Sequence, residues 1–270
     1  MIAHLQWYPP TLIGHLVDTF AALISRAPLL WDGMWLTIQL TVSSGFLAFI
    51  LAIVFGLAAG SPKFILRLPA RIIIEFFRGT SLLGQLFWLY SVLPLFGPQL
   101  DAFTVGVAAL SLNYGAYAAE AVRASITSVP KAQWEATTAL SMSWSHKMRR
   151  IIFPQAWALM LPSLTNLWVH LLKGSSIVYI VGLSEFTFEL LQLRRVTDWF
   201  FALAITGLIG YFLLALIITW GMHLLEVRAK FRLGRGPSLK EVLSLKPTLH
   251  VGTGGRSMAP TGNQSQGGPR

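Results

Sequence analysis

The sequence predicts an all-α, polytopic membrane protein with about five transmembrane helices. Three observations predict this class. Only 12% of the 270 residues are charged, and the mean hydropathy is +0.60. Soluble globular domains carry roughly 25% charged residues, so this chain has too few charges for a water-facing surface. The apolar residues also fall into separate stretches of about 20 residues, the length that crosses a bilayer as a helix.

Five stretches have the length and apolar character of a span, and they cover residues 34–60, 71–93, 102–121, 155–182 and 199–225. Pro94 follows the second stretch, and the fourth contains Pro162 and Gly174. An earlier apolar stretch, residues 12–24, is too short to cross a bilayer, and we expect an interfacial helix there.

The chain divides into three predicted parts. Residues 1–30 form an N-terminal segment that is periplasmic or interfacial, residues 31–228 form the transmembrane domain, and residues 229–270 form a basic cytoplasmic tail. Residues 251–270 are rich in glycine, serine, proline and glutamine, which predicts disorder because almost no apolar surface can be buried. No internal repeat is visible.

The basic residues predict the orientation of the chain. The net charge of +10 is compatible with nucleic-acid binding, but the cationic side chains lie in loops between spans, which favours a role in topology and no nucleic-acid partner. Positively charged loops stay in the cytoplasm, so we expect the N-terminus outside and the C-terminus inside. The cytoplasmic set is Lys63, Arg67, Arg71, Arg123, Lys131, Lys147, Arg149, Arg150, Arg228, Lys230, Arg232 and Arg235, against Arg26, Arg194 and Arg195 outside.

The chain lacks the residues that several kinds of functional site require. There is no cysteine for a disulfide or a thiolate site, and the six histidines lie far apart in the sequence, so we predict no metal site. The sequence contains no G-x-x-x-x-G-K-[ST] loop to bind phosphates, so any ATP must be bound by another chain. We expect no catalytic residue and no cofactor in this chain.

The loop between the third and fourth spans is predicted to form a helical hairpin at residues 128–154. Pro130 suits the first turn of a helix. Three small residues then share one narrow face at i, i+4 and i+7, with Glu135 beside them: Ala132, Ala136 and Ala139.

A second short helix of the hairpin can begin at Ser143 or Ser145, which are both good N-cap residues. It carries His146, Lys147, Arg149 and Arg150. Small residues permit close approach and charges orient a partner, so the hairpin can dock into a cleft on another protein. The alternative is an amphipathic loop on the bilayer surface, and periodicity alone does not distinguish the two.

The hairpin resembles the EAA signature of ABC importer permeases, E-A-A-x3-G-x9-I-x-L-P. The matching residues are Glu135, Ala136, Thr137, Ser141, Ile151 and Pro154. Three longer segments are similar, in the same order, to blocks of the polar amino acid permeases. Residues 75–94 resemble the FRGTPLL block, and residues 112–136 resemble the GAY-x-x-E-x-x-R and P-K-G-Q blocks. Residues 171–177 resemble the L-K-D-T-S-L block. The resemblance covers roughly residues 30–226.

The resemblance implies the type I ABC importer permease (MetI-like) fold, in the bacterial inner membrane. It further implies that the hairpin is a coupling helix, which inserts into a groove of a separate ATPase subunit that binds ATP-Mg. The coupling residues that it implies are Lys131, Gln133, Glu135, Ala136, Thr137, Ala139, Ser141 and Pro154.

The sequence departs from the family pattern at several of these positions. Ser141 stands in place of a glycine that suits positive φ, and such a conformation costs serine about 1 kcal/mol or more. The other departures are Thr137 for alanine, Ala132 for glycine, Ser81 for proline, and Gly174 and Ser175 for aspartate and threonine.

Two acid–base pairs lie at i, i+3 within or at the end of predicted spans: Glu75 with Arg78, and Glu120 with Arg123. Placing an ionisable residue at the bilayer centre costs at least about 2.5 kcal/mol of insertion free energy, so such a residue usually has a functional role. We interpret the first pair as a structural ion pair and the second as a gate or brace beside the hairpin.

A further polar set can line a translocation path. Glycine and serine after Lys173 can break the helix and expose backbone groups to a cavity. The predicted path consists of Asn113, Tyr117, Asn166, His170, Lys173, Ser175 and Ser176, with Tyr114 beside them. The alternative is interhelical hydrogen bonding by the asparagines and serines.

The resemblance implies a permease subunit that imports a polar amino acid or a small amino-acid-derived compatible solute such as ectoine. It implies ABC ATPase subunits, a second permease, identical or homologous, and a periplasmic or extracellular solute-binding protein as partners. From the residues alone, an ion-coupled secondary transporter and a non-transporting membrane scaffold are the alternatives. The first should show paired repeats and an acidic relay in its spans, and neither is visible.

Overall fold

The computed structural model describes residues 21, 23–194 and 200–232, and within these ranges it contains helices and no strand. The predicted all-α class is confirmed. Most of the predicted interfacial helix and the tail after residue 232 lie outside the described residues. The helices are α1 Ala27–Ala59, α2 Phe64–Gly79, α3 Leu82–Phe87, α4 Ala102–Thr127, α5 Lys131–Ala139, α6 Trp144–Lys147, α7 Phe153–Ser175, α8 Phe186–Leu193 and α9 Phe200–Arg232.

Helices α1 and α4 pack closely along their length and form the centre of the molecule. A Cβ on Gly56 would lie 2.8 Å from the carbonyl oxygen of Ala119, and one on Gly115 would lie 3.2 Å from Cβ of Leu51. Small residues allow this approach between membrane helices. Helices α2, α7 and α8 pack against the pair.

Two apolar clusters fill different ends of this bundle. One lies where α1, α4, α7 and the hairpin meet, and it includes Ala52, Val122, Ile126, Met148, Ile152 and Ala156. The other lies where α1, α3 and α4 meet the chain after α7, and it includes Leu40, Leu86, Val105, Leu110 and Val178. The hairpin is therefore part of the core and not a separate appendage.

The second predicted span, residues 71–93, is wrong as a single continuous helix. Helix α2 ends at Gly79, α3 begins at Leu82, and the two segments meet at 101°. Thr80 and Ser81 between them are extended, with ψ of 149° and 136°. Both halves are apolar, so the hydropathy pattern does not reveal the break. After α3 the chain continues through a π-helical turn and a 3₁₀ turn to Phe96.

Among the residues that the structure describes, length and apolar composition allow two helices to cross a membrane, α1 and the part of α9 from Leu203 to Phe231. The number rises to four if each bent pair, α2 with α3 and the α6–α7 segment with α8, counts as one span. The third predicted span corresponds to α4, which has 26 residues but contains Asn113, Glu120 and Arg123. Half of its residues are buried among other helices, where an apolar lipid-facing surface is not needed.

The other predicted boundaries differ by a few residues. Helix α1 begins before residue 34 because Pro28 lies in its first turn, where the missing N–H is tolerated. Helix α4 starts after Asp101, whose carboxylate accepts hydrogen bonds from the hydroxyl (2.6 Å) and the amide (3.0 Å) of Thr104. These bonds lower the pKa of the Asp101 carboxyl.

Pro162 lies inside α7 without ending it, and the short helix α8 is not predicted by the sequence.

Candidate functional site

The hairpin consists of α5 and α6, and the predicted small-residue face of α5 points outward. Ala132, Ala136 and Ala139 are exposed, and so is Glu135. Lys131 and Gln133 are also exposed. The small side chains of this face are therefore open to a partner.

The opposite face of the hairpin is attached to the core. Thr137 is 1% exposed, and its hydroxyl donates to the carbonyl oxygen of Trp134 at 2.8 Å. The Trp134 ring packs on the cluster that contains Val122 and Ile152. The hairpin is therefore in direct packing contact with α4 and α7.

The turn between the two helices is a Schellman motif. The amide of Met142 donates to the carbonyl of Thr137 at 3.1 Å, and the amide of Ser141 donates to the carbonyl of Thr138 at 2.9 Å. Ser141 has φ of 53°, the only positive φ of a non-glycine residue in the described part of the chain. Serine therefore replaces the family glycine at a position whose backbone conformation favours glycine.

The second half of the hairpin continues into α7. Ser143 is at the N-cap of α6, as expected, but its side chain makes no capping hydrogen bond. A π-helical turn, Met148–Ile152, follows α6, and Pro154 lies in the first turn of α7. Pro154 has no N–H to donate to the carbonyl of Arg150, four residues earlier. This missing hydrogen bond accounts for the change from α-helical to π-helical spacing at this turn.

Asn113 and Tyr117, two predicted path residues, lie at the break between α2 and α3. The Asn113 amide donates to the carbonyl oxygen of Phe77 at 3.0 Å, and the Tyr117 hydroxyl donates to that of Arg78 at 3.1 Å. Gln85, which the sequence analysis missed, also donates to the carbonyl of Phe77, at 3.1 Å. These side chains satisfy the backbone groups that the break frees, as a membrane interior requires.

A half-open cavity of about 690 Å³ lies beside this break. Its lining combines aromatic rings with polar groups: Phe76, Phe77 and Trp88 with Thr80, Ser81 and Gln85. Gln85 is 8% exposed, and its Oε1 accepts no hydrogen bond from the described residues. The cavity therefore offers one buried polar acceptor among apolar walls, a composition typical of small-molecule sites.

The other predicted path residues lie on α7, and α4 separates them from the first group. A Cβ on Gly174 would lie 2.2 Å from the hydroxyl of Tyr114, so α4 faces α7 through Tyr114. Three side chains share one exposed face of α7 at i, i+4 and i+7: Asn166, His170 and Lys173. The structure therefore divides the predicted path between two faces of α4.

The chain does not open after Lys173 in the way that the sequence suggested. Helix α7 continues to Ser175, and a 3₁₀ turn, Ser176–Val181, follows it. The hydroxyl of Ser175 donates to the carbonyl of Leu172, and that of Ser176 donates to the carbonyl of Lys173, both at 2.7 Å. Both hydroxyls thus donate to backbone carbonyls of the chain itself, and Ser175 is fully buried.

Both predicted acid–base pairs are present. Arg78 Nη1 lies 3.2 Å from Glu75 Oε1, and the Arg78 guanidinium lies over the Tyr117 ring, 5.4 Å from its centroid. Arg123 Nε donates to Glu120 Oε2 at 2.9 Å, at the end of α4 that faces the hairpin. Within the described ranges no group of three or more histidine or acidic side chains could hold a metal ion.

A buried glutamate that the sequence analysis missed connects three helices. Glu185 is fully buried, and its carboxylate accepts hydrogen bonds from the Tyr211 hydroxyl of α9 (2.8 Å), the Thr37 hydroxyl of α1 (3.3 Å) and the amide of Phe188 (3.0 Å). Glutamate is not a preferred N-cap residue, so the start of α8 was not visible. The signal available in the sequence was a carboxylate with apolar residues on both sides.

Comparison with known proteins identifies the family to which the chain is similar. The family described as "Binding-protein-dependent transport system inner membrane component" matches residues 52–231. A probable amino-acid ABC transporter permease of Sinorhizobium fredii is 40% identical, over 72% of this chain and 84% of the relative. The L-cystine transport system permease of Bacillus subtilis is 35% identical, over 74% of this chain and 86% of the relative.

Solved structures agree with the sequence relatives. The crystal structure of an amino acid ABC transporter with histidines matches with a TM-score of 0.71 and 34% identity, over 77% of this chain and 98% of that chain. An inward-facing structure of the MetNI methionine ABC transporter, at 18% identity, matches with a TM-score of 0.67 over 76% and 98%. The second match shows the shared fold, and the resemblance inferred from the EAA-type hairpin is confirmed. The chain belongs to the family of binding-protein-dependent transport system inner membrane components and is the permease subunit of an ABC importer.

Proposed function

We propose that this chain couples a separate ATPase to the import of a polar amino acid or a small amino-acid-derived solute. The observation that carries the proposal is the hairpin, whose outer face of small residues is exposed while its inner face belongs to the core. A groove on an ATPase can approach Ala132, Ala136 and Ala139 closely, and Glu135 beside them can orient the contact. ATP-Mg then binds to the ATPase, and this chain hydrolyses nothing.

A second permease, identical or homologous, completes the translocation path in this proposal. Asn166, His170 and Lys173 form an exposed polar face on a membrane helix, and such faces are costly against lipid. A partner helix that covers this face would enclose a polar route. Lys173 makes no salt bridge among the described residues, so its ammonium is available to the carboxylate of an amino acid solute.

The names of the relatives support this solute class, since they include amino-acid and L-cystine permeases. The family description also includes a binding protein, so a soluble partner outside the membrane would deliver the solute. A compatible solute such as ectoine is also zwitterionic, with a carboxylate and a cationic amidinium, and lies within the proposed class.

Glu135→Arg tests the coupling role. We expect ATP-driven uptake in reconstituted vesicles to be abolished, because the reversed charge prevents the ATPase from docking, while insertion and folding stay normal. Gln99→Arg, an equally exposed position in the loop before α4, is the matched control and should transport like the wild type. Normal uptake by Glu135→Arg, with normal ATPase binding, would remove the coupling assignment.

Lys173→Met tests the path. This change keeps an unbranched side chain that is one atom shorter and removes its charge, so we expect uptake to fall while binding of the ATPase is unchanged. Lys63→Met, an exposed lysine before α2, controls for the loss of one charge. Unchanged uptake would mean that Lys173 only extends its ammonium to the membrane surface.

A further inference from the structure

A cationic cavity of about 400 Å³ lies beside the hairpin, at the end of the molecule where α1 finishes and α2 begins. Its charged lining consists of three guanidinium groups, those of Arg67, Arg71 and Arg123. The hairpin contributes Trp134 and Trp144 to the same lining. The cavity is separate from the outer alanine face and from the polar face of α7.

The three guanidinium charges at this cavity are only partly balanced by the protein, since the nearby Glu120 pairs with Arg123 and also interacts electrostatically with Arg71. Arg123 is paired with Glu120, but Arg67 and Arg71 make no salt bridge among the described residues. No aspartate or glutamate lines the cavity. Two guanidinium groups thus remain for an anion, and guanidinium binds phosphate oxygens in a bidentate manner.

The helix that carries Arg67 and Arg71 also has a large exposed apolar side. Ile65 is 83% exposed, Ile72 60% and Leu68 44%. Since α2 is an amphipathic helix, this side suits the acyl region of a bilayer while the arginines stay at the headgroup level. Tryptophan is also enriched at that level. A free anion would use the arginines but would leave the apolar side uncovered.

We propose that this cavity binds the phosphate headgroup of an anionic phospholipid, with the acyl chains along the exposed side of α2. Basic pockets beside membrane helices bind such headgroups on the cytoplasmic side. The inference rests on the proposed function, which places the hairpin at the cytoplasmic leaflet. Because Trp134 and Trp144 line the same cavity, a bound headgroup would hold the hairpin against α1 and α2.

The test measures lipid retained by the complete transporter, purified with its ATPase from vesicles of equimolar phosphatidylcholine and phosphatidylglycerol. We expect the wild type to retain phosphatidylglycerol selectively. The double variant Arg67→Gln/Arg71→Gln should bind it about 30-fold more weakly, as expected for the loss of two cations at the headgroup. The control, Lys63→Gln/Arg228→Gln, removes equal charge from exposed positions outside the cavity and should behave like the wild type. Circular dichroism and gel filtration verify that each variant is folded.

Three outcomes would overturn the inference. The first is equal retention of phosphatidylglycerol by the double variant and the wild type. The second is displacement of the lipid by excess inorganic phosphate, which would indicate a site for a free anion. The third is retention by the permease alone but not with the ATPase, which would assign the cavity to ATPase docking.

Uptake measured on the same samples separates the two proposals. Loss of selective lipid retention with normal ATP-driven uptake rejects only the lipid site. Selective lipid retention by a transporter that never imports a solute rejects the proposed function and leaves the lipid site supported.

Discussion

At the scale of single residues, the most informative position is Ser141. The signature has a glycine there that suits positive φ, and Ser141 adopts that conformation with φ of 53°. A left-handed conformation brings the Cβ of an L-residue close to the following carbonyl oxygen, so serine is strained where glycine is not. The Schellman hydrogen bonds hold the turn in spite of this cost.

Ser141→Gly should stabilise the hairpin by about 1 kcal/mol, because relief of the left-handed strain exceeds the added freedom of the unfolded chain. Hydrogen exchange of the amides at 140–142 should slow by about fivefold if they exchange through opening of the turn. Ser145→Gly is the matched control, since glycine inside α6 costs about 1 kcal/mol and should accelerate exchange. Faster exchange in Ser141→Gly would contradict this account of the turn.

At the scale of secondary structure, the break between α2 and α3 depends on side chains from elsewhere in the chain. The carbonyl of Phe77 accepts hydrogen bonds from both Gln85 and Asn113. Either donor alone leaves the carbonyl satisfied, whereas removal of both leaves a half-buried acceptor without either of these partners, a cost of about 1–3 kcal/mol if it stays unpaired. The two donors are therefore energetically coupled.

A double-mutant cycle with Gln85→Leu and Asn113→Leu measures this coupling. We expect the double variant to be destabilised beyond the sum of the single variants by about 1–2 kcal/mol in the free energy of unfolding in mixed micelles. A cycle of Gln85→Leu with Thr165→Val, whose hydroxyl donates to Leu161 and not to Phe77, should be additive. Additivity in the first cycle would show that the two donors do not share one role.

At the scale of the whole molecule, the chain without cysteine allows a direct test of orientation. The basic loops predict that the hairpin is cytoplasmic and that the loop before α4 is outside. In intact cells, a membrane-impermeant maleimide should label Gln99→Cys and should label Ser145→Cys only after the membrane is opened. Both positions are exposed, so access to the thiol depends on the side of the membrane. The reverse labelling pattern would invert the proposed topology.

Much of the architecture follows from local properties of the sequence. The apolar stretches placed α1, α4, α7 and α9, and the alanine spacing with Pro130 placed α5. Even the strain at Ser141 could be expected, because the glycine of the signature implies a positive φ. These features depend on residues within one or two helical turns, so periodicity and turn chemistry suffice to predict them.

The remaining features depend on groups that meet only in the folded chain. The break after Gly79 is stabilised by Asn113 and Tyr117, more than 30 positions away, and Glu185 bonds to Thr37 of α1. The same packing separated the predicted path residues into one group at the break between α2 and α3 and another on α7. It also brought Arg67, Arg71 and Arg123 around one cavity. The sequence by itself determined most of the helical segments and pointed to the hairpin as the segment that we propose couples to a partner. Only the tertiary structure decided which polar groups share a space, because a buried polar group is satisfied by its neighbours in three dimensions.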